Sequence, residues 1–357
     1  MYSIEYKKVN SSNFLIYTKI VQHSKEVRAT AARLKRIVDE YKEEQPEKKR
    51  DWRTYEQQHY ARLRLCFADL SPLIKKAVKS IKIAKTEKRG NEPKLSLEQK
   101  VILLLLKQLC IKSNRNMAGM MVLFTWLTAI DISYKTIERL YSDPLVQMAL
   151  FNLHILILKK KGINDIDCAG DGTGYTLLIK EHYASYAQKL KDKAKENNPK
   201  EKKRIKCVYS FAIIDIKSRL YIAYGASLKS EQEAFFEAVK MLKTIDVRIR
   251  TMRLDRYFSA EFYVNLLLEQ VGNIKLFIVP KSNVANIGLG EWGKVLTRFV
   301  DNTKLFLKDY FQRNQSESGF SEDKKRTGWK IFQKKIERID TANAVIYAWH
   351  NLFWLGS

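Results

Sequence analysis

From about Ile163 onward the apolar pattern changes from helical to strand-like, and the order of the elements that follow restricts the fold more than any other feature of the chain. Ile163–Ala169, Cys207–Ile216 and Arg219–Ala226 read as strands, with Asp215–Ser218 a tight turn between the last two. Ser230-Glu-Gln-Glu233 is a capping-box pattern opening a helix through Leu242, whose apolar stripe is Ala234, Phe235, Ala238 and Met241/Leu242. A strand Ile249–Leu254 ends at Asp255, a helix follows over Ser259–Val271, and a strand Lys275–Val279 is ended by Pro280. Three strands in succession, then helix–strand–helix–strand, predict an antiparallel meander joined to parallel crossovers in a mixed sheet. The fold class is α/β.

The charge balance narrows what such a sheet acts on. Among 357 residues, 65 Lys+Arg stand against 39 Asp+Glu, a formal net charge of +26, and residues 1–95 hold 23 of the basic residues against 12 acidic ones. The natural counter-charge for a surplus of this size is nucleic-acid phosphate. A further basic stretch, Lys189–Lys206, includes Lys200-Glu-Lys-Lys-Arg204 beside Asn197-Asn-Pro199 and reads as a loop or a charged helical arm. Charge of this kind gives salt-sensitive affinity without sequence choice. Apolar residues at 45% and aromatics at 11% exclude wholesale disorder. Val101–Leu106 is as long an uninterrupted apolar stretch as the chain offers, far short of the ~18 residues that span a bilayer, so no membrane role is expected. Met1–Asn10 carries Glu5, Lys7 and Lys8 and has no apolar core, unlike a secretory leader. Cys66, Cys110, Cys168 and Cys207 lie far apart, which argues against a zinc knuckle or a disulfide framework and fits a reducing cytosol.

Upstream of the sheet the chain reads as helices. Val27, Ala31, Leu34, Val38 and Tyr41 step by four and three, the period of one helical face. In Ser71–Gly90, Ile74, Val78 and Ile81 form one stripe while Lys75, Lys79, Lys82 and Lys85 fall together on another, and seven basic residues face the single acid Glu87. That face is either solvated or a surface for phosphates; a membrane-surface helix usually carries bulky aromatics, and this one does not. Ser96-Leu-Glu-Gln99 is a capping-box pattern opening a helix through Val101–Leu109. Asn116–Ala129 gives the next helix and, after a break at Asp131-Ile132, Ser133–Tyr141 a third, stopped near Asp143-Pro144. Tyr134, Lys135, Glu138 and Arg139 point outward on this third helix, as in a helix-turn-helix that reads DNA through Lys135 and Arg139; any three-helix bundle gives the same pattern. The expected organisation is a basic helical DNA-binding region over 1–95, a helix-turn-helix-like region over 96–160 and a mixed-sheet domain over 161–357.

In so basic a chain, acids at strand ends stand out. Asp171 lies in Gly170-Asp-Gly-Thr-Gly174 at the expected end of the first strand, and Asp255 follows the strand Ile249–Leu254. Strand ends hold side chains rigidly at a sheet edge, where a ligand site can form; taken singly, either Asp serves equally as a turn or cap residue. Tyr310, Arg313, Glu317 and Lys324 are spaced three, four and seven apart, which on one helix puts them within roughly 60° of one another. Arg–Glu pairing four apart is also common on purely structural surface helices, and Ser318, Gly319 and Ser321 weaken the helix before Lys324.

These residues resemble a known family. Tyr310-x2-Arg313-x3-Glu317-x6-Lys324 matches the signature of the insertion-sequence-four group of DDE transposases. Gly170-Asp-Gly-Thr-Gly174, with His182-Tyr183 some ten residues on, resembles the first-aspartate block of the same enzymes, and Leu254-Asp255 the second. The resemblance covers roughly residues 163–357, and the element order is that of an RNase H-like fold. It implies that Asp171, Asp255 and Glu317 are the catalytic metal-binding triad, and that Tyr310, Arg313 and Lys324 handle DNA phosphates near the cleaved end. The long β-rich insertion frequent in this group is short here, about 281–309. Gly288-Leu-Gly-Glu-Trp-Gly293 suggests a compact hairpin with Trp292 either stacked on a flipped base or packed as core.

The chemistry agrees with the residue types. Hard carboxylate oxygens suit Mg²⁺, with Mn²⁺ able to substitute, where zinc prefers His or Cys. His23, His59, His154, His182 and His350 are scattered with no His-x3-His pair, and each reads as a surface or core histidine. The expected activity is cleavage of terminal inverted repeats and transfer of the 3′-OH into target DNA, by a homodimer on double-stranded DNA. Two alternatives stay open: an RNase H-fold nuclease or resolvase that stops at hydrolysis, and a non-catalytic DNA-binding transposase remnant.

Overall fold

The computed structural model describes residues 24–44, 51–82, 94–128, 132–177, 207–284, 290–333 and 335–356. Met1–Asn10, His23, Lys85, Asp131, His182-Tyr183, the basic stretch Lys189–Lys206 and Gly288 lie outside the described residues. The chain is a mixed α/β protein. Its sheet has six strands: β1 (Asp165–Leu177), β2 (Cys207–Asp215), β3 (Tyr221–Ser227), β4 (Arg248–Leu254), β5 (Lys275–Ile278) and β6 (Lys330–Ile331). Their order is β3-β2-β1-β4-β5, with β6 paired to β1. β2 and β3 run antiparallel, whereas β4 runs parallel to β1 and β5 parallel to β4. The expected antiparallel β2–β3 pair and parallel crossovers are therefore present. Among the described residues, no helix is long and apolar enough to cross a membrane.

The described chain divides into two compact units. One comprises Met1–Asp51, Asp165–Gly170 and Arg248–Asn314; the other Trp52–Asn164, Asp171–Val247 and Gln315–Ser357. In the first unit, β1 pairs with β4 from Asp165↔Arg248 to Gly170↔Leu254, with a shift of register between Ile166 and Asp167. Side chains pin that shift: Asp167 Oδ1 accepts from Thr251 Oγ1 (2.7 Å), and its Oδ2 accepts from Arg250 Nη2 (2.5 Å). Helix α1 (24–32) buries Val27 and Ala31, and α2 (Leu34–Glu43) carries Tyr41, which stacks on Phe311 at 5.4 Å. The expected stripe is thus real, although it bends at Arg33 between two helices.

The second unit is built on α3 (Trp52–Lys79), α4 (Leu97–Leu109), α5 (Asn114–Thr128), α6 (Tyr134–Leu140) and α7 (Pro144–Lys160). It also holds β2, β3, α8 (Glu231–Leu242) and the terminal α13 (Ile336–Leu355). Ser96 makes the complete capping box expected of it. Ser230 makes only half: it accepts from Glu233 N–H, but the Glu233 carboxylate turns to Ser227 and Lys229 instead. Asp143-Pro144, expected as a stop, is also a start, because Asp143 caps α7 and Pro144 fills its first turn, where a missing N–H costs nothing. Helix α8 lies close on β3 because residue 225 is glycine; a Cβ there would come within 2.3 Å of the Ala234 carbonyl. β3 is an edge strand, and its outward backbone is occupied by side chains. Asn351 bonds both the N–H and the C=O of Tyr221 (2.8 Å each), and His154 Nε2 lies 2.8 Å from the Ile222 carbonyl. That closes an edge that would otherwise template further strands. Burial pulls the His154 pKa down to about 4.

One buried cation makes the second unit sensitive to pH. Lys107 on α4 is 1% exposed, donates to the Tyr141 hydroxyl at 2.8 Å and faces the rings of Tyr141 and Phe332. Burial pulls its pKa from 10.5 down to about 8. Burial also pushes the Tyr141 phenol well up, partly opposed by a hydrogen bond with Gln333. Between pH 8 and 10 the unfolded chain therefore holds a proton on Lys107 that the folded chain has lost, so stability rises with pH. The gain approaches about 3 kcal/mol before Tyr141 reverses the trend above pH ~10. Denaturant unfolding across this range should show the rise, and Lys107→Met should flatten it while stabilising the protein at pH 7.

Candidate active site

Two of the expected site residues directly follow the point where the pairing of β1 with β4 ends. Gly170↔Leu254 is the last rung between β1 and β4, and Asp171 and Asp255 are the next residues along each chain. Asp171 is not at a strand end, as the sequence suggested: β1 continues through Leu177, because its later residues Thr176 and Leu177 pair with β6. What ends at Gly170 is the pairing with β4. Asp171 is buried and its Oδ1 accepts the Gly172 N–H at 2.9 Å. Asp255 is half-buried and caps the short 3₁₀ turn Arg256–Phe258, its Oδ1 accepting the Arg256 N–H at 2.6 Å. Both carboxylates are thus oriented by their own backbone.

The Tyr310–Lys324 segment is helical but not one helix. It runs as α11 (Thr303–Tyr310), a 3₁₀ turn Phe311–Arg313, and α12 (Asn314–Thr327). The break therefore falls before Glu317 and not at the serines and Gly319, which lie inside α12. A 3₁₀ turn advances about 120° per residue, so the four residues are not on a single α-helical stripe. Tyr310 is buried, with the Arg313 guanidinium 5.8 Å from its ring. Arg253, buried on β4, donates through Nε to the Asp309 carbonyl at 3.0 Å and so holds the end of α11.

Glu317 is exposed, while Ser316, Gly319, Phe320, Asp323 and Thr327 form the buried face of α12. That face is fixed by a polar network. Asp323, fully buried, accepts from the Tyr221 hydroxyl at 2.9 Å and lies 2.8 Å from His350 Nδ1; His350 Nε2 lies 2.8 Å from the Arg219 carbonyl. Gly319 permits the approach, since a Cβ would sit 2.8 Å from the Tyr221 hydroxyl. Phe320 stacks on Tyr221 at 5.9 Å, and Gln108 donates to the Thr327 carbonyl at the helix end. Lys324 is half-buried. Its Nζ donates to Thr173 Oγ1 at 2.7 Å, two residues past Asp171, and lies over the rings of Trp329 (4.9 Å) and Tyr175 (5.5 Å). Burial lowers the Lys324 pKa and the Cys207 thiol draws it back up.

Asp323, His350 and Tyr221 fix α12 yet give no signal in the sequence, whereas Thr173 stands in the Gly170–Gly174 block that marks Asp171. Six residues past Glu317, Asp323 is about 240° round the helix and off the expected face. Trp292 is buried in α10 (Glu291–Asp301), which begins where a hairpin was expected; an indole packed in this way presents no face to a base. Lys75 and Lys79 are exposed near the end of α3, and Lys82 is exposed beyond it, because the helix stops at Lys79. Lys135 and Arg139 are exposed on α6, where Glu138 pairs with Arg338. Among the described residues, no three His, Cys, Asp or Glu side chains gather as a ready-made metal cluster. Asp171, Asp255 and Glu317, the expected triad, would offer carboxylate oxygens throughout, a donor set that suits Mg²⁺.

Removing Asp323 would leave the Tyr221 hydroxyl and His350 buried without their partner. Asp323→Ala should therefore destabilise the fold by roughly 3–5 kcal/mol, measured by denaturant unfolding, whereas Ser321→Ala on the exposed side of α12 should cost little.

No family model matches the chain, and no solved structure matches it. The chain is 39% identical over 322 residues to the probable transposase for insertion sequence element ISA1214 of Archaeoglobus fulgidus, an alignment that covers 90% of this chain and 92% of the relative. A likeness of this extent shows that the chain belongs to the transposases of insertion sequences.

Proposed function

We propose that the chain is a DDE transposase of the insertion-sequence-four group, with an RNase H-like catalytic domain, acting on double-stranded DNA. The single observation that carries this is the register of β1 and β4, whose last rung, Gly170↔Leu254, is followed directly by Asp171 on one strand and Asp255 on the other. The strand order β3-β2-β1-β4-β5, with an antiparallel β2–β3 pair and parallel crossovers, supports the RNase H-like reading. In this reading Asp171, Asp255 and Glu317 would together hold two Mg²⁺ or Mn²⁺ ions. When bound, such ions supply Lewis-acid activation of the nucleophile and stabilise the leaving oxygen.

The chain's own residues supply position and charge. Asp171 and Asp255 are oriented by backbone N–H groups, and Glu317 by the buried face of α12. Arg313 offers a planar fork for two phosphate oxygens, and Lys324, steered by Thr173, a point charge. Tyr310, buried beneath Arg313, sets the guanidinium's place through ring contact. Water attacks the phosphodiester at the element end, the P–O3′ bond breaks, and the 3′ oxygen leaves as a hydroxyl. That 3′-OH then attacks a target phosphodiester and expels its 3′ oxygen. Exposed Lys75, Lys79, Lys82, Lys135 and Arg139 bind flanking duplex, and two ends require a dimer on DNA.

Incubating the protein with duplexes from its own element ends and Mg²⁺, then mapping the products, tests this. Joined strands support transposition. Free ends alone mean a nuclease, and a salt-sensitive mobility shift without cleavage means a non-catalytic binder. Glu317→Gln should lower cleavage by 10³-fold or more, on the order of 4 kcal/mol of transition-state stabilisation, with binding of the ends nearly unchanged. Mg²⁺-dependent nicking retained in that variant removes Glu317 from the site.

A further inference from the structure

Three guanidiniums meet on the second unit, on a different side of α12 from Lys324. Arg326 follows Lys324 by two residues, about 200° round the helix. The Arg326 guanidinium carbon lies 4.1 Å from the centroid of Phe353, and those of Arg62 on α3 and Arg219 before β3 lie 4.3 and 4.5 Å from Trp354. Arg219 and Arg326 are each close enough to Arg62 to act on it. Burial lowers the Arg62 pKa most, Glu322 raises it, and Arg219 and Arg326 lower it again.

The cluster is short of anions. Among the described residues, neither Arg62 nor Arg219 has a carboxylate at ion-pair distance, and Arg62 Nη2 donates only to Gln58, at 3.3 Å. Arg326 gives Nη1 to Asp323 (3.3 Å), which His350 and Tyr221 already share; its side chain is 10% exposed, and its buried Nε has no hydrogen-bond partner. Stacking on Trp354 holds the Arg62 and Arg219 forks in place while their in-plane N–H edges stay available, and Phe353 holds the more buried Arg326 behind them. Like charges gathered in this way repel, and an anion that accepts several N–H bonds at once relieves the repulsion.

We propose that Arg62, Arg219 and Arg326 form a site for a DNA backbone phosphate, separate from the reacting end, which anchors duplex and carries no sequence choice. That the phosphate is DNA's rests on the transposase reading. The test is fluorescence anisotropy of a labelled duplex against salt concentration. It compares the wild type with the Arg62→Gln/Arg219→Gln double variant and with Arg62→Lys/Arg219→Lys. The Gln pair should weaken binding roughly tenfold at low salt and flatten the log–log salt slope by about 1, one released counterion for one phosphate. The Lys pair should keep the slope, which a loss of folding would not. An unchanged slope in the Gln pair overturns the proposal. So does a thermal shift with inorganic phosphate or ATP that the Gln pair loses while its DNA slope stays the same, because the site then serves a soluble phosphate. If the wild type neither cleaves element ends nor prefers them to unrelated duplex, the transposase reading fails instead, and the slope comparison still decides the arginine site.

Discussion

The parallel rung between Gly170 and Leu254 is the constraint on which the rest depends. Side chains alternate across a strand, so a slip of one residue between β1 and β4 would turn an aspartate to the opposite face. The register is therefore fixed by more than the backbone ladder. Asp167 grips Arg250 and Thr251 at the one point where the pairing shifts, and Arg253 in turn reaches Thr251 and the end of α11. A chain of polar contacts thus ties the register of the strands to the end of α11.

Glu317 itself is exposed, and its placement comes from the hidden side of its helix. An exposed acid on a freely rotating helix would hold no fixed position; Asp323, Phe320 and Gly319 remove that freedom by engaging Tyr221 and His350. Those partners sit on β3 and α13, whose Asn351 also closes the sheet edge. The same helix α13 thereby seals the sheet, anchors α12 and supplies the rings beneath the arginine cluster. Buried polar groups are costly unless fully paired, and here the pairing makes one arrangement preferable to its neighbours.

Much of this was legible before any coordinates. The strands after Ile163 and the capping box at Ser96 follow from local pattern, because alternation and capping are short-range properties. Three features were not legible. The end of β1–β4 pairing at Gly170 leaves no mark, since β1 continues on another partner. The 3₁₀ turn Phe311–Arg313 has no residue that demands it, so uniform helical spacing was assumed across it. Helix α13 is apolar on nearly all sides, so it has no polar face to reveal its period, and its anchoring residues Asn351 and His350 look like isolated polar residues. Trp292 shows the converse: its neighbouring glycines suggest a hairpin where a helix begins, and of the two roles open to it, base stacking and core packing, it takes the second.

The central claim is that residues 171, 255 and 317 serve one metal site. Iron-directed cleavage of the protein backbone tests it most directly, with Fe²⁺ in place of Mg²⁺ on the DNA-bound protein and ascorbate with peroxide to generate radicals at the ion. The account predicts cuts clustered near all three residues in the same molecule, suppressed together by excess Mg²⁺. Cuts confined to one of them, or unaffected by Mg²⁺, would contradict it.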